Sequence, residues 1–437
     1  MLLIFTPKSS NRLIYTFELI FTELLGIEYK LSDDEEHFED FIGPKFNYSH
    51  QYVEKNFFIY ANPLLFEKGV HPQDIEHTHF RDETVPFATH HPKSEFPFDL
   101  FAASFYLITR YEEYLPFEAD KHGRFPAKSS LASLLGFLEK PVINIWAKSL
   151  LEKLHEYYPL LESNPKFKYN FIPTYDIDIA YSYKYKGLYR NIAAAVLDIK
   201  RLDFARVGER LKVLLGKELD PYDTFDYLEK LEKEYNLKSI YFFPVGSYSK
   251  YDKNISTSRK PYRDLIQNTG DFSEIGIHPS YISNENESLL EAEITTLEQI
   301  TKRSIARSRQ HYVKLKFPDT YERLIDKGIN KDYSMGYPDA LGFRASVASS
   351  FFFYDLSQET TTQLRVYPFV MMDVTFKNYH QFNEKETLQK IRQIIREVHR
   401  VEGMLITVWH NNTLSETDGW EGWRSIYENM LEWATNQ

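Results

Sequence analysis

From Tyr169 onward the chain alternates short apolar segments with amphipathic stretches of helix length, a rhythm that few folds accommodate. The strand-like segments are "NFIPTY", "SIYFFPV", "EIGIH", "ARSRQHYV", "LRVYPFVMMDV" and "LITVWHNN". Between them lie a helical stretch around 193–214 and the helices "DTFDYLEKLEKEYN", "SLLEAEITTLEQITK", "TYERLIDKG" and "ETLQKIRQIIREVHRVEG". In the last of these, Ile391, Ile394, Ile395 and Val398 recur at helical spacing and share one face. Such alternation predicts an α/β fold with a parallel sheet, either open or closed into a barrel. In both cases the reactive groups belong at the C-terminal ends of the strands.

The first 165 residues read differently, mixing short strands such as Leu2 to Phe5 and "FFIYANP" with helices. "FDLFAASFYLITRYEEYLPF" is expected to form one helix capped by Asp99, and another helix is expected to start near Ser10. "VINIWAKSLLEKLHEYY" leads into the polar "LESNPKFK", the candidate linker. With 437 residues there is room for two or three domains, and the expected division is 1–165 and 166–437.

Composition narrows the function. A formal net charge of -11 argues against a nucleic-acid partner, which needs a basic face, and against a membrane-surface role. The absence of cysteine removes disulfides, thiolate metal sites and thiol nucleophiles together, so any transition metal must be held by His, Asp or Glu. The opening "MLLIFTPKSSNRLIYTFELIF" lacks the basic start and small-residue cleavage site of a secretion signal, and no apolar run reaches membrane-span length. A cytoplasmic protein is the simplest expectation. The 32 Tyr and 33 Phe serve equally well as core or as stacking surfaces for ringed ligands.

The strand-end rule selects a specific set of residues. "NFIPTYDIDIA" ends a strand in two carboxylates one residue apart, Asp176 and Asp178, which in an extended backbone share a face and repel. Either solvent or a cation must compensate. His278 ends "EIGIH", Arg309 and His311 end "ARSRQH", and His410 ends "ITVWH". One carboxylate with two imidazoles can hold Zn²⁺ or a similar divalent ion and leave a coordination position for water. The second carboxylate can then accept that water's proton. His77, His79, His90 and His91 form another cluster in sequence, read as exposed loop histidines or as a second metal site.

The order Asp-x-Asp, Gly-x-His-Pro-Ser, Arg-x-x-Tyr and a late strand ending in His resembles the polysaccharide deacetylases of carbohydrate esterase family four, the NodB-homology group. The resemblance spans roughly 166–437. It implies a distorted (β/α) barrel of about seven strands behind an N-terminal α/β (α+β) domain. It also implies removal of an N-acetyl or O-acetyl group from a carbohydrate with a divalent metal, zinc being expected. In "TYDID" Asp176 is implied as the base and Asp178 as a metal ligand. "HPSYI" keeps His278, while Ile282 stands where the family has a second histidine ligand. "RQHY" is similar to the family's Arg-x-Pro-Tyr; we infer that its His311 supplies the missing ligand, while Arg309 is implied to orient the base and Tyr312 to meet substrate. "TVWHN" implies His410 as general acid with Trp409 walling the pocket. "DYSMGY" and "GFRAS" resemble the stretch that follows, implying that Asp332 steadies the rim and Arg344 contacts substrate. "FYLITRYEEYL" and "HGRF" resemble an N-terminal domain that precedes such modules in bacterial proteins. Two alternatives stay open: hydrolysis of a non-carbohydrate amide on the same scaffold, and a catalytically weakened sugar-binding protein.

Overall fold

The computed structural model describes residues 1–53 and 56–436, and it is a mixed α/β structure. Four parallel strands, β1 (Leu2–Phe5), β2 (Tyr29–Ser32), β3 (Lys45–Ser49) and β4 (Phe57–Tyr60), form a first sheet in the order β2-β1-β3-β4. A small antiparallel hairpin follows, β5 (His77–Phe80) with β6 (Glu83–Pro86).

The second sheet is built from the alternating region. Its strands are β7 (Asn170–Asp176), β8 (Ile240–Phe243), β9 (Glu274–Ile277), β10 (Arg307–Ser308), β11 (Lys331–Asp332), β12 (Phe351–Asp355), β13 (Thr360–Val366), β14 (Met371–Met372) and β15 (Met404–His410). Their spatial order is β12-β13-β11-β10-β9-β8-β7-β15-β14, parallel except for the β12/β13 hairpin. The expected barrel of about seven strands is therefore found as an open sheet of nine: β12 pairs only with β13 and β14 only with β15 among the described residues, so the edges do not meet. "ARSRQHYV" yields only the two-residue β10 before the chain turns at His311–Val313, and "LRVYPFVMMDV" divides into β13 and β14.

The helices between strands follow from their sequences. Glu384–Arg400 starts with a reciprocal capping box between Asn383 and Glu386, carries His399 and Arg400 in its last turn, and buries Ile391, Ile394, Ile395 and Val398. The cap satisfies otherwise orphaned amides, the basic end complements the helix dipole, and each buried side chain contributes about 1.5–3 kcal/mol.

The segment expected as one long helix after Asp99 is broken. Asp99 does cap it, accepting from the amides of Phe101 and Ala102, but the helix stops at Ile108. Arg110 takes a left-handed conformation (φ 55) and a separate short turn, Tyr111–Tyr114, follows. That break lets Arg110 bury its guanidinium against Glu112, Glu113 and the carbonyl of Arg344.

The candidate linker is pinned rather than free. Asn164 donates its amide to the carbonyl of Gly26 at 3.1 Å and Ser163 donates to Leu25 O at 2.6 Å. Gly26 has φ +62, and a Cβ there would fall 1.8 Å from the Asn164 carbonyl oxygen, so this close approach requires glycine. The main apolar core runs continuously from Leu2 to Ala434, uniting both regions. A smaller cluster, including Phe242, Phe369, Met372, Ile406 and Val408, lies on the other face of the second sheet.

Candidate functional site

β7 and β15 are paired in parallel with Asp176 beside His410 and Tyr175 beside Trp409. Alternation then assigns the faces. Asp176 and His410 lie on the side of the small apolar cluster, whereas Trp409 packs against Trp423 and Tyr427 on the helix-covered side. The chain leaving β7 brings Asp178 over the strand ends, where the ends of β9 and β10 supply His278, Arg309 and His311.

These groups converge. Asp178, His278 and His311 each present a ligand atom, and all three atoms lie within 4.8 Å of one another. His278 Nε2 is 3.1 Å from Asp178 Oδ1, His311 Nε2 is 3.4 Å from Asp178 Oδ2, and His410 Nε2 is 3.7 Å from the same Oδ2. Although His278 Nε2 is close, that buried Asp178 Oδ1 has no hydrogen-bond partner among the described residues. Among the described residues this is the one His/Asp/Glu cluster with metal-holding geometry.

Each imidazole is oriented from behind. His278 Nδ1 is 2.6 Å from the carbonyl of Arg309, and a carbonyl accepts, so Nδ1 donates. His311 Nδ1 lies 2.9 Å from Asp252 Oδ1 and His410 Nδ1 lies 2.8 Å from Asp373 Oδ1. Fixing Nδ1 as the donor leaves Nε2 as the ligating or proton-carrying atom, the arrangement that surrounds protein-bound metals. Asp373 also accepts from the His410 amide at 2.8 Å and from the Thr413 hydroxyl.

The electrostatics follow from this packing. Burial lowers the proton affinity of His410, but Asp373, with Asp178 and Asp176, overrides it and pushes the pKa up to about 10. His311 behaves alike, burial opposed by Asp178 and Asp252, and is pushed up to about 9. Burial pushes the Asp178 carboxyl up, yet His311 and His278 hold it well below the usual carboxylate range. A proton on His311 Nε2 occupies the place a cation would take, so an ion held there would displace it.

Arg309 is fully buried beneath the pair of acids. Its Nη1 donates to Asp176 Oδ1 at 3.0 Å and to Thr174 Oγ1 at 2.6 Å, its Nε to Tyr333 O at 3.0 Å, and its guanidinium carbon lies 4.5 Å from the centre of the Phe242 ring. Asp176 thus has one oxygen clamped, while Oδ2 lies 4.0 Å from His278 Nε2.

The pocket above these groups holds about 290 Å³ and is also lined by Tyr312, Met372, Val374, Tyr379 and Arg124. Tyr312 and Val313 both adopt left-handed backbone (φ 60 and 54), a costly conformation for side chains of this size. Arg124 braces it, donating to the Tyr312 carbonyl at 2.6 Å, and the His122 ring lies 4.9 Å from that of Tyr312. The "HGRF" loop from the first region therefore forms a wall of the pocket.

Three residues expected at the pocket do not line it. Trp409 is turned to the opposite face of β15. Arg344 is buried against Glu113, its Nε at 2.9 Å from Oε1. Asp332 is fully buried, accepting from Ser308, Ser334 and Tyr321, and so ties the ends of β10 and β11 together without meeting solvent. Ile282 is exposed, and the second imidazole near His278 and Asp178 is that of His311. Of the N-terminal histidines, His90 pairs with Glu76, His91 stacks on Tyr60, and among the described residues neither they nor His77 and His79 form a ligand cluster.

Sequence reasoning missed Asp252, Asp373 and Arg124. Asp373 carried a usable signal, since it directly follows "MM" at the end of a strand. Asp252 and Arg124 lie in loops with no local mark of their role.

A family model described as a family of unknown function (DUF7033) matches residues 2–159. No curated protein matches the chain. Among solved structures the chain is similar to a protein assigned as a polysaccharide deacetylase from Mycobacterium smegmatis, with 14% identity, 62% of this chain and 86% of that chain covered, and a TM-score of 0.39. It is also similar to a polysaccharide deacetylase from Bacillus cereus, with 10% identity, 61% and 86% coverage and a TM-score of 0.29. A third similar structure is a CE4 family pseudoenzyme from Bacillus anthracis, with 8% identity, 62% of each chain covered and a TM-score of 0.30.

Proposed function

We propose that the protein is a metal-dependent hydrolase that removes an acetyl group, N-linked or O-linked, from a carbohydrate. The observation that carries this reading is the convergence of ligand atoms of Asp178, His278 and His311 within 4.8 Å, with one buried Asp178 oxygen lacking a hydrogen-bond partner among the described residues. The donor set of one carboxylate and two imidazoles suits zinc. The carbohydrate class rests on the motif order from "TYDID" to "TVWHN".

Asp178, His278 and His311 would hold the ion, with Asp252 and the Arg309 carbonyl fixing the imidazoles. A divalent cation there supplies Lewis acidity to an acyl carbonyl and acidity to a coordinated water. Asp176 is the base: Arg309 holds one of its oxygens and leaves the other free to take a proton. His410 is the acid. Its Nδ1 is committed to Asp373, so the proton it gives to the leaving nitrogen or oxygen departs from Nε2, and the high pKa keeps that proton available. Arg309 is a positioning residue. We further infer that residues 166–437 form the catalytic unit and that 1–165 form an accessory unit whose Arg124 and His122 shape the pocket wall.

The test combines metal content with turnover. Elemental analysis of the purified protein is expected to show one divalent ion per chain, and N-acetylated oligosaccharides should release acetate in a chelator-sensitive manner. A metal-free protein that still binds the sugar would instead identify a binding protein. Hydrolysis of simple amides with no release of acetate from sugars would instead identify a hydrolase of non-carbohydrate amides.

A further inference from the structure

Between β7 and β8 the chain forms two helices, Leu188–Lys200 and Phe204–Leu214, whose amphipathic order is inverted. A surface helix ordinarily buries its apolar stripe and exposes its polar one. Here the buried side chains are Asn191, Asp198, Arg210 and Val213, joined by ion pairing of Arg210 with Asp198 and its 3.1 Å hydrogen bond to Asn191. The apolar ones face outward: Tyr189 is 90% exposed, Leu202 75%, Leu188 72% and Phe204 64%, with Ile192 and Leu211 more than half exposed. Soluble domains seldom leave so much apolar surface in one place unless something covers it.

The charge beneath the hairpin indicates what covers it. A pocket of about 460 Å³ is lined by Lys186, Arg190, Arg201, Arg206, Arg210 and Lys253. Arg206 and Arg210 have carboxylate partners in Asp418 and Asp198. Lys186 makes no hydrogen bond or ion pair among the described residues. Arg190 donates only to the carbonyls of Lys253 and Asn254 and lies 4.1 Å from the Tyr248 ring centre. Residues 188–214 carry six Lys/Arg against three Asp/Glu, in a chain whose net charge is -11. The overall acidity that speaks against a membrane partner is thus reversed at this one place.

We propose that this hairpin is a membrane-surface element: its outward leucines and aromatics enter the acyl boundary of a bilayer, and the cationic pocket takes the phosphate of an anionic lipid. A lipid phosphate pairs an anionic head with apolar chains, matching both halves of the feature. A second copy of the chain would bring an equally cationic hairpin and be repelled. No helix among the described residues is long and apolar enough to cross a membrane, and the proposed contact is one of the hairpin with the membrane surface. The inference does not depend on the proposed hydrolysis.

Co-sedimentation of the intact protein with vesicles tests it. Vesicles of phosphatidylcholine containing phosphatidic acid should bind the protein at least about tenfold more tightly than phosphatidylcholine alone. Leu202→Ser with Phe204→Ser, both exposed and so harmless to folding, should weaken binding to both vesicles about tenfold. Lys186→Gln with Arg190→Gln should abolish the preference for phosphatidic acid while circular dichroism stays unchanged. Absence of binding to either vesicle overturns the proposal, as does binding indifferent to the Leu202/Phe204 pair. Release from vesicles by inorganic pyrophosphate together with that indifference would assign the pocket to a soluble phosphate. A dimer that dissociates with the Leu202/Phe204 pair, without vesicle binding, would assign the face to self-association.

Discussion

Two buried ionic clusters in this protein differ in what they leave over. In the first, Glu113 accepts from Arg110 at 2.8 Å and from Arg344 at 2.9 Å, and Arg110 is completed by Glu112, Tyr337 and a carbonyl. Guanidinium and carboxylate alternate, and neither carboxylate of the cluster appears among the unpartnered buried atoms. In the second, three imidazoles face one carboxylate, Asp178 Oδ1 and Arg309 Nη2 lack hydrogen-bond partners, and a pocket opens above. Burying charge is costly in both places. The first cluster recovers that cost internally and reads as structure; the second leaves polar atoms unpaired beneath an open pocket and reads as a candidate site.

That contrast can be broken most severely at the second cluster. On the proposed function, Asp178→Asn should lose the divalent ion and reduce acetate release to background, read by elemental analysis and an acetate assay. Asp176→Asn should keep the ion and lower kcat by about 10²–10⁴-fold, the usual worth of a general base. If Asp178→Asn retains both ion and activity, the two clusters are of one kind.

At the first cluster the effect should fall on stability instead. Glu113→Ala strands two buried guanidinium groups and should cost about 3–5 kcal/mol, visible as a lowered denaturation midpoint. Activity per folded molecule should be preserved. A loss of metal affinity in this variant would show that the clusters are coupled.

Smaller effects sharpen the boundary of the site. Asp252→Asn leaves His311 in place but slackens its orientation, so metal affinity measured by chelator competition should fall about 10–100-fold. Arg124→Ala removes the donor to the strained Tyr312 carbonyl. It should raise KM with kcat nearly unchanged and cost about 1–3 kcal/mol of stability.

The sequence already displayed the acids and imidazoles of the second cluster, because they stand at strand ends and the alternation rule singles out those positions. The strand-end rule also reached Asp176 and His410, but not the face of their neighbours: Trp409 is one residue from His410 and must therefore point to the other side of β15. Arg344 and Asp332 looked available because their partners, Glu113 in one case and Ser308, Tyr321 and Ser334 in the other, cannot be paired with them by spacing alone. Asp252 was hidden for the same reason, lying 59 residues from the histidine it orients. The break at Arg110 escaped notice because an apolar helical stripe says nothing of a charged side chain that must turn inward to meet residues more than 200 positions away. The open edges of the second sheet were beyond any local pattern, since closure depends on which strands become neighbours.

The brace from Arg124 to Tyr312 has a consequence for how the chain matures. The entrance to the pocket is propped by a loop that is synthesised early, so a fragment starting at residue 166 would possess every candidate ligand yet lack the prop for its doorway. Grafting different residues into the 120–124 loop is therefore a way to retune what enters, while leaving the machinery behind it untouched.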